Sequence, residues 1–470
     1  MDTQQENYQT VSITKTLSVS PKLLHPERVL NLSNLDRQCP NHMYLVFFYN
    51  PSPAYTNLPL DLVFSSLKSG LEETLSVWYS AAGRLCLNQN DGKLNIWCNN
   101  NGAVLVEAVT QVKISELGDL SQYNEFFEKL VCKPVFDGNF SLMPLVVAQV
   151  TNFGCGGYSI GIGVSHSLFD GPAAHNFFRA WASKSAIMKE KGGLEQQKPV
   201  HERGTLLMSS YEASNVTGKP PSQNSNTVTR AAAIDHLYQL IMQAATDQRL
   251  PEVGRLNQKE CLLRTFHLSS QMIEGLRREV LGGRGGSFSC SSFEVVAAHL
   301  WKARTRALGL RKETMVCLQF AVDTRNKMVP PLPKGFSGNA YVLVSVALTA
   351  GALEEESLET IIKKIREAKN SVGNDYVSAY VEALEGPQHS LPPLKELTMI
   401  SDWTRMPFHK IPFLHGEAAY ASPLVPPIPH VAYFMQNPND SAAIDVRIGL
   451  LPQTVDSFCH HFLIICDEFK

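Results

Sequence analysis

No stretch of 18 or more apolar residues occurs in this sequence, so no membrane span is expected. The opening Met1-Asp2-Thr3-Gln4-Gln5-Glu6 lacks a basic start followed by an apolar stretch, and does not read as a secretory signal. Long runs of one charge sign are missing too, and 42 basic side chains nearly cancel 44 acidic ones. A nucleic-acid partner leaves a basic stripe, so none is expected. The ten cysteines, scattered from Cys39 to Cys466, form no Cys-x-x-Cys pair and read most simply as reduced thiols of a cytoplasmic protein. There is no Gly-x-Ser-x-Gly elbow for a hydrolase serine, and Cys155, between two glycines, reads as a small filler rather than a nucleophile. A Gly-x-x-x-x-Gly-Lys phosphate loop and a Gly-x-Gly-x-x-Gly fingerprint are also lacking. His460-His461 lacks metal-ligand spacing and reads as part of a packed helix, so no metal is expected. A local cluster can still hold an anionic ligand, which leaves small phosphorylated molecules open.

What is present is material for a large mixed fold. At roughly 100–200 residues per domain, 470 residues suggest two or three domains, and 44% hydrophobic residues supply sizeable cores. The best boundary lies around residues 186–228, where Lys189-Glu190-Lys191-Gly192-Gly193 and Gly218-Lys219-Pro220-Pro221 cannot build a packed element. The expected organisation is an N-terminal domain over 1–187, a crossover linker over 188–228 and a C-terminal domain over 229–470.

Both halves mix helix and strand. Leu60, Phe64, Leu67, Leu71, Leu75 and Trp78 recur at three- and four-residue steps, one face of an amphipathic helix. Residues 94–98, 103–108 and 144–150 read as strands, and Asp137-Gly138-Asn139 as a turn. In the second half, Ile273, Leu276 and Val280 mark a helix closed by Gly282-Gly283. Phe293 to Arg304 marks another, capped by Ser291 or Ser292. Tyr341–Leu348 and Ile444–Leu450 read as strands, and residues 357–386 as mostly helical. The fold class is α/β, two domains with a cleft between them.

One segment stands out for chemistry. From Tyr158 to Ser165, Tyr158, Ile160, Ile162 and Val164 alternate with Ser159, Gly161, Gly163 and Ser165. That is a period-2 strand with one apolar and one very small face, and small residues let another backbone or a ligand come close. His166 follows the strand, and Gly171-Pro172 opens a helix carrying Phe177, Phe178 and Trp181. His166 and Asp170 therefore fall in a strand-to-helix loop, a common place for reactive groups. An imidazole there can act as a general base, with Asp170 orienting the ring or bracing the loop. Read from these residues alone, His166 is more simply an ordinary loop histidine than a base, since His-x-x-x-Asp-Gly fixes only three positions.

His166-Ser167-Leu168-Phe169-Asp170-Gly171 has company, however. Leu30 to Asp36, Tyr79 to Arg84 (with Ser80 where proline is usual), Phe153 with Cys155-Gly156-Gly157, Phe288 to Trp301, Val322-Asp323-Thr324-Arg325 and Pro330 to Asn339 follow in order. Together they make the chain resemble the plant BAHD acyl-CoA-dependent acyltransferases over essentially its whole length. The resemblance implies two chloramphenicol-acetyltransferase-like domains with a central channel between them, and a monomer. It implies acyl-CoA as cosubstrate, no permanently bound cofactor, and a small-molecule acceptor whose hydroxyl or amine loses its proton to His166. By the family pattern Ser401 donates to the tetrahedral oxyanion, Trp403 lines the acceptor pocket, and Asp170 braces the site by pairing with Arg325, with Gly171 completing the motif.

The chain departs from the pattern at one element. Where the family has Asp-Phe-Gly-Trp-Gly, this sequence has Pro412-Phe413-Leu414-His415-Gly416, and proline removes both a charge and an N–H. Drift in a supporting loop is one reading, and weakened CoA use is another. Two further classes stay open beside the acyltransferase. One is a non-catalytic relative of the eceriferum type, acting with fatty-acid elongation. The other is a lyase reusing the fold.

Overall fold

The computed structural model describes residues 10–39, 41–56, 58–135, 139–185, 197–207, 261–281, 289–384, 396–425 and 431–463. The expected turn at Asp137-Gly138, the helix closure at Gly282-Gly283, and the linker apart from residues 197–207 lie outside them. The chain divides into two compact units. The first comprises Met1–Leu207 with Pro333–Asn339 and Met406–Val425, and the second comprises Met208–Leu332, Ala340–Arg405 and Pro426–Lys470.

The strands up to the histidine motif are β1 (Val11–Val19), β2 (Arg28–Leu30), β3 (His42–Tyr49), β4 (Arg84–Leu87), β5 (Leu94–Cys98), β6 (Ala103–Thr110), β7 (Val146–Phe153) and β8 (Tyr158–Ser165). Beyond it lie β9 (Leu262–Leu268), β10 (Met315–Asp323), β11 (Tyr341–Thr349), β12 (Leu397–Asp402), β13 (Tyr420–Leu424), β14 (Val431–Gln436) and β15 (Ile444–Leu450). The helices α1 (Asn34–Arg37), α2 (Leu60–Val77) and α3 (Gly171–Lys184) belong to the first unit. In the second are α4 (Ser270–Leu281), α5 (Ser292–Ala307), α6 (Ala350–Glu355), α7 (Leu358–Asn370), α8 (Asn374–Ala383) and α9 (Val455–Leu463).

In the first unit a six-stranded sheet runs β1-β6-β7-β8-β3-β13, with β6 and β7 parallel, and β2-β5-β4 form a small separate sheet. All eight residues of β8 are buried, because both of its faces are covered. The isoleucine face follows Phe47 of its partner strand onto the helical side, where Phe47 meets Phe178 of α3 edge-on at 6.0 Å. Helices α2 and α3 lock together through the Trp181 indole, which donates to the Leu67 carbonyl at 2.8 Å. On the opposite side, Phe126, Phe127, Leu130 and Val131 from the loop after β6 pack against Val46, Phe48 and Phe153 of the sheet, and Cys155 fills in beside them. The loop lies so close that a Cβ on Gly161 would sit 2.0 Å from the Leu130 carbonyl oxygen. The small face of β8 is thus the seat of a backbone segment, one of the two uses its composition allows.

In the second unit the order is β11-β10-β12-β14-β15-β9, parallel at β10/β12 and β12/β14 and antiparallel elsewhere. Ser291 caps α5 in a capping box with Glu294, as the serine pair before the apolar repeat predicts. Helix α9 packs through Phe458 and Phe462 onto Phe266 of β9. It also carries His460 and His461, whose rings lie 5.1 Å apart. Among the described residues no helix is long and apolar enough to cross a membrane, and no cluster of three or more His, Cys, Asp or Glu side chains has a metal-binding arrangement.

Candidate active site

Strand β8 ends on Ser165, and the next residue, His166, donates its backbone N–H to the Asn41 carbonyl at 2.7 Å. This bond holds the loop against the chain entering β3. Four residues on, Asp170 is the N-cap of α3: its carboxylate accepts the Ala173 N–H at 3.0 Å, and Pro172 occupies the first turn. Gly171 leaves room for Met406, whose sulfur would lie 2.6 Å from a Cβ at that position. Asp170 is buried, and its charge favours the protonated imidazole; burial of the ring nevertheless dominates and holds the His166 pKa below its ordinary value.

Two residues without an assigned role in the sequence reading complete the surroundings of His166. Asn339 brings Oδ1 to 3.2 Å from His166 Nδ1, while its Nδ2 donates to the His166 carbonyl at 2.7 Å and to Asp36 Oδ1 at 3.2 Å. Asp36 is fully buried in α1 and forms an ion pair with the equally buried Arg203, Nε to Oδ2 at 2.8 Å. Arg203 in turn donates to the His201 carbonyl at 2.6 Å. Both Asp36 and Asn339 close segments that carry the family resemblance, which was their one signal in the sequence. Nothing in the spacing of residues 36, 166, 203 and 339 brings them together; the fold of the first unit does.

The same neighbourhood accounts for Ser80. The Ser80 and Ser337 hydroxyls each lie 3.0 Å from His201 Nδ1, and the opposite ring nitrogen donates to the Val77 carbonyl at 3.1 Å. Where the resemblance expects proline, the serine thus supplies a partner to a buried imidazole.

Arg325, Ser401 and Trp403 belong to the second unit. The Arg325 guanidinium reaches Asp323 at 3.3 Å, and its backbone N–H donates to the same carboxylate at 2.9 Å. Ser401 and Trp403 stand at the end of β12. The Trp403 N–H donates to the Phe434 carbonyl at 2.8 Å, and its ring meets Tyr433 edge-on at 6.2 Å. The Trp403 indole N–H donates to Ser401 Oγ at 2.9 Å, which leaves the hydroxyl hydrogen available to an outside acceptor. Asp402, between them, accepts from the Thr404 hydroxyl at 2.7 Å and its N–H at 3.0 Å; burial still pushes this carboxyl up.

The altered element at 412–416 belongs to the first unit and sits under α3. Phe413 is fully buried, meeting Trp181 edge-on at 5.0 Å and Phe47 at 5.3 Å. The Tyr49 hydroxyl bridges this loop, donating to the Ile411 carbonyl at 2.7 Å and accepting the Phe413 N–H at 3.2 Å. Gly416 takes φ +92°, a conformation that favours glycine. Phe413 and Gly416, which match the family pattern, carry a packing and a backbone demand, and Leu414, which departs from it, is fully buried as well. His415 is exposed and Pro412 half-buried.

The sequence model described as "Transferase: Transferase family" matches residues 9–464. The chain is 54% identical to "Brassinosteroid-related acyltransferase 1" of Arabidopsis thaliana, over 96% of this chain and 98% of that one. It is 30% identical to "Omega-hydroxypalmitate O-feruloyl transferase" of the same plant, over 95% and 92%. Among solved structures, vinorine synthase superposes with a TM-score of 0.72 at 20% identity, covering 97% of this chain and 98% of that one. An F. graminearum protein crystallised with coenzyme A and T-2 mycotoxin superposes with a TM-score of 0.67 at 13% identity, over 91% and 96%. At these identities the structural matches establish a shared fold.

Proposed function

The chain belongs to the BAHD acyltransferase family, and from that premise we propose that it transfers an acyl group from acyl-CoA to a hydroxyl of a small plant metabolite, with His166 as the general base. The acceptor class we infer is a hydroxylated steroid of the brassinosteroid kind, on the strength of the relative with 54% identity. A crystallised neighbour of the same fold holds coenzyme A, which supports the donor.

The observation that carries this reading is the state of His166. Its Nδ1 faces Asn339 Oδ1 at 3.2 Å, which leaves Nε2 as the nitrogen for proton transfer. Burial keeps the ring neutral at neutral pH, the form a base requires. In the proposed reaction Nε2 takes the proton of the acceptor hydroxyl as that oxygen attacks the thioester carbonyl carbon. A new C–O bond forms, and the carbonyl electrons move onto oxygen. Ser401 donates its free hydroxyl hydrogen to that oxyanion, while the Trp403 indole N–H polarises Ser401 Oγ from behind. Collapse breaks the C–S bond, and the departing thiolate recovers the proton from the imidazolium to leave as CoA thiol. No acyl-enzyme forms. Trp403 also presents an aromatic face suited to an apolar acceptor, and Asp170, committed to capping α3, serves structurally. The accessory-protein reading rests on the altered 412–416 element, where Phe413 and Gly416 keep the packing and backbone roles of the family pattern.

Purified protein, an acyl-CoA panel and hydroxylated steroids, read by release of CoA thiol and by product mass, test the assignment. His166→Ala should lose at least about a hundredfold in turnover. Undiminished turnover in that variant would overturn the base assignment.

A further inference from the structure

Building on the assignment of His166 as base, we propose that Asp36 and Asn339 are positioning residues. Asp36 orients the Asn339 amide, and the amide holds His166 as the tautomer with its proton on Nδ1 and Nε2 bare.

The geometry leaves the amide one way to point. Its Nδ2 faces two acceptors, the His166 carbonyl at 2.7 Å and Asp36 Oδ1 at 3.2 Å. A flipped amide would press Oδ1 against both of them and lose two hydrogen bonds in a buried site. With Nδ2 so fixed, Oδ1 faces His166 Nδ1 beside the residue's own carbonyl, and oxygen acceptors there require Nδ1 to carry the proton.

Asp36 is itself immobilised. Oδ1 accepts the Asn339 backbone N–H at 2.9 Å and an Arg203 N–H at 3.2 Å, in addition to the amide. Oδ2 accepts Arg203 Nε and the Ser33 hydroxyl, each at 2.8 Å, and the Ser33 N–H at 2.9 Å. An aspartate in a four-residue helix needs no such array for stability alone, and replacing buried ion pairs by apolar residues is often neutral. The 333–339 segment is built around the pair. A Cβ on Gly338 would meet the Arg203 guanidinium carbon at 2.6 Å, and that guanidinium lies 5.7 Å from the Phe336 ring centroid. Arg203 thus sets the backbone that delivers Asn339 as well as the carboxylate that orients it.

The full-length protein labelled with 15N-histidine tests this without substrate, because protonated and bare ring nitrogens give separate signals and His166→Gln assigns the resonances. In the wild type His166 should show a protonated Nδ1 and a bare Nε2. Asn339→Ala leaves the Asp36–Arg203 pair in place. It should convert His166 to a mixture of tautomers and lower kcat at least about tenfold, part of the hundredfold or more that a base supplies, with KM within about threefold. The double variant Asp36→Ala/Arg203→Met removes the anchor without stranding a buried charge, and should shift the same signals in the same direction. A pure Nδ1-protonated His166 with near wild-type kcat in either variant would overturn the relay. His166→Ala separates the two ideas: retained turnover there defeats the base assignment, whereas its loss beside unaltered tautomer signals defeats the relay alone.

Discussion

At the scale of single residues, the useful property of His166 is that it stays neutral in company that would ordinarily charge it. Asp170 and Asp36 both favour the imidazolium, as do Asn339 and the residue's own carbonyl, yet burial outweighs them and the pKa falls below 6.5. The sign of the pH dependence follows. A base with a lowered pKa remains deprotonated further into acid, so the acid limb of kcat/KM should show an apparent pKa below 6.5. A profile measured from pH 5 to 9 checks this, and an acid limb above 6.5 would contradict it. The motif around His166 is legible in the sequence because the family pattern is local in the chain. Asp36, Arg203 and Asn339 could not be assigned a role, because their relation spans 303 residues from Asp36 to Asn339 and exists only after folding.

At the scale of elements, β8 is the clearest case of a pattern that survives into structure. Its alternation placed the strand at Tyr158–Ser165, and those are its bounds. The reason each glycine is there was not legible, since the loop carrying Leu130 approaches from elsewhere in the sequence. Gly161→Ala should drive a methyl into the Leu130 carbonyl and the Val131 side chain, 2.0 and 2.6 Å away. Overpacking of this kind costs about 1–3 kcal/mol, and more where backbone must move. A thermal unfolding midpoint several degrees lower than that of the parent is the expected result, and an unchanged midpoint would refute it. Strand β7 was legible only in part. The apolar run from 144 suggested its start, but the strand is Val146–Phe153 and includes Gln149 and Thr151, polar residues that bond each other at 3.1 Å. Strand β13 gave no comparable signal because Pro423 lies within it, which an edge strand tolerates.

At the scale of the whole chain, three histidines make stability depend on acid. Burial lowers the pKa of His175, His201 and His299 to about 4 in each case. An unfolded histidine titrates near 6.5, so below that pH the unfolded chain binds protons that the folded chain refuses. Stability should hold above about pH 7 and fall steadily from 6.5 toward 4, which melting curves across that range will show. A flat midpoint through the window would mean the three rings are solvated. That the chain holds two α/β units was legible from the helix and strand patterns of both halves. That 333–339 and 406–425 belong to the first unit was not, because neither segment is set off by composition. Their membership has a consequence for synthesis. Strand β3 receives its outer neighbour β13 only once Leu424 has been made. At roughly 5–20 residues per second, β3 waits on the order of 20 to 75 seconds for that partner. Until then the edge of β3 beside Val46, Phe47 and Phe48 stays unpaired, a template on which another chain could add a strand.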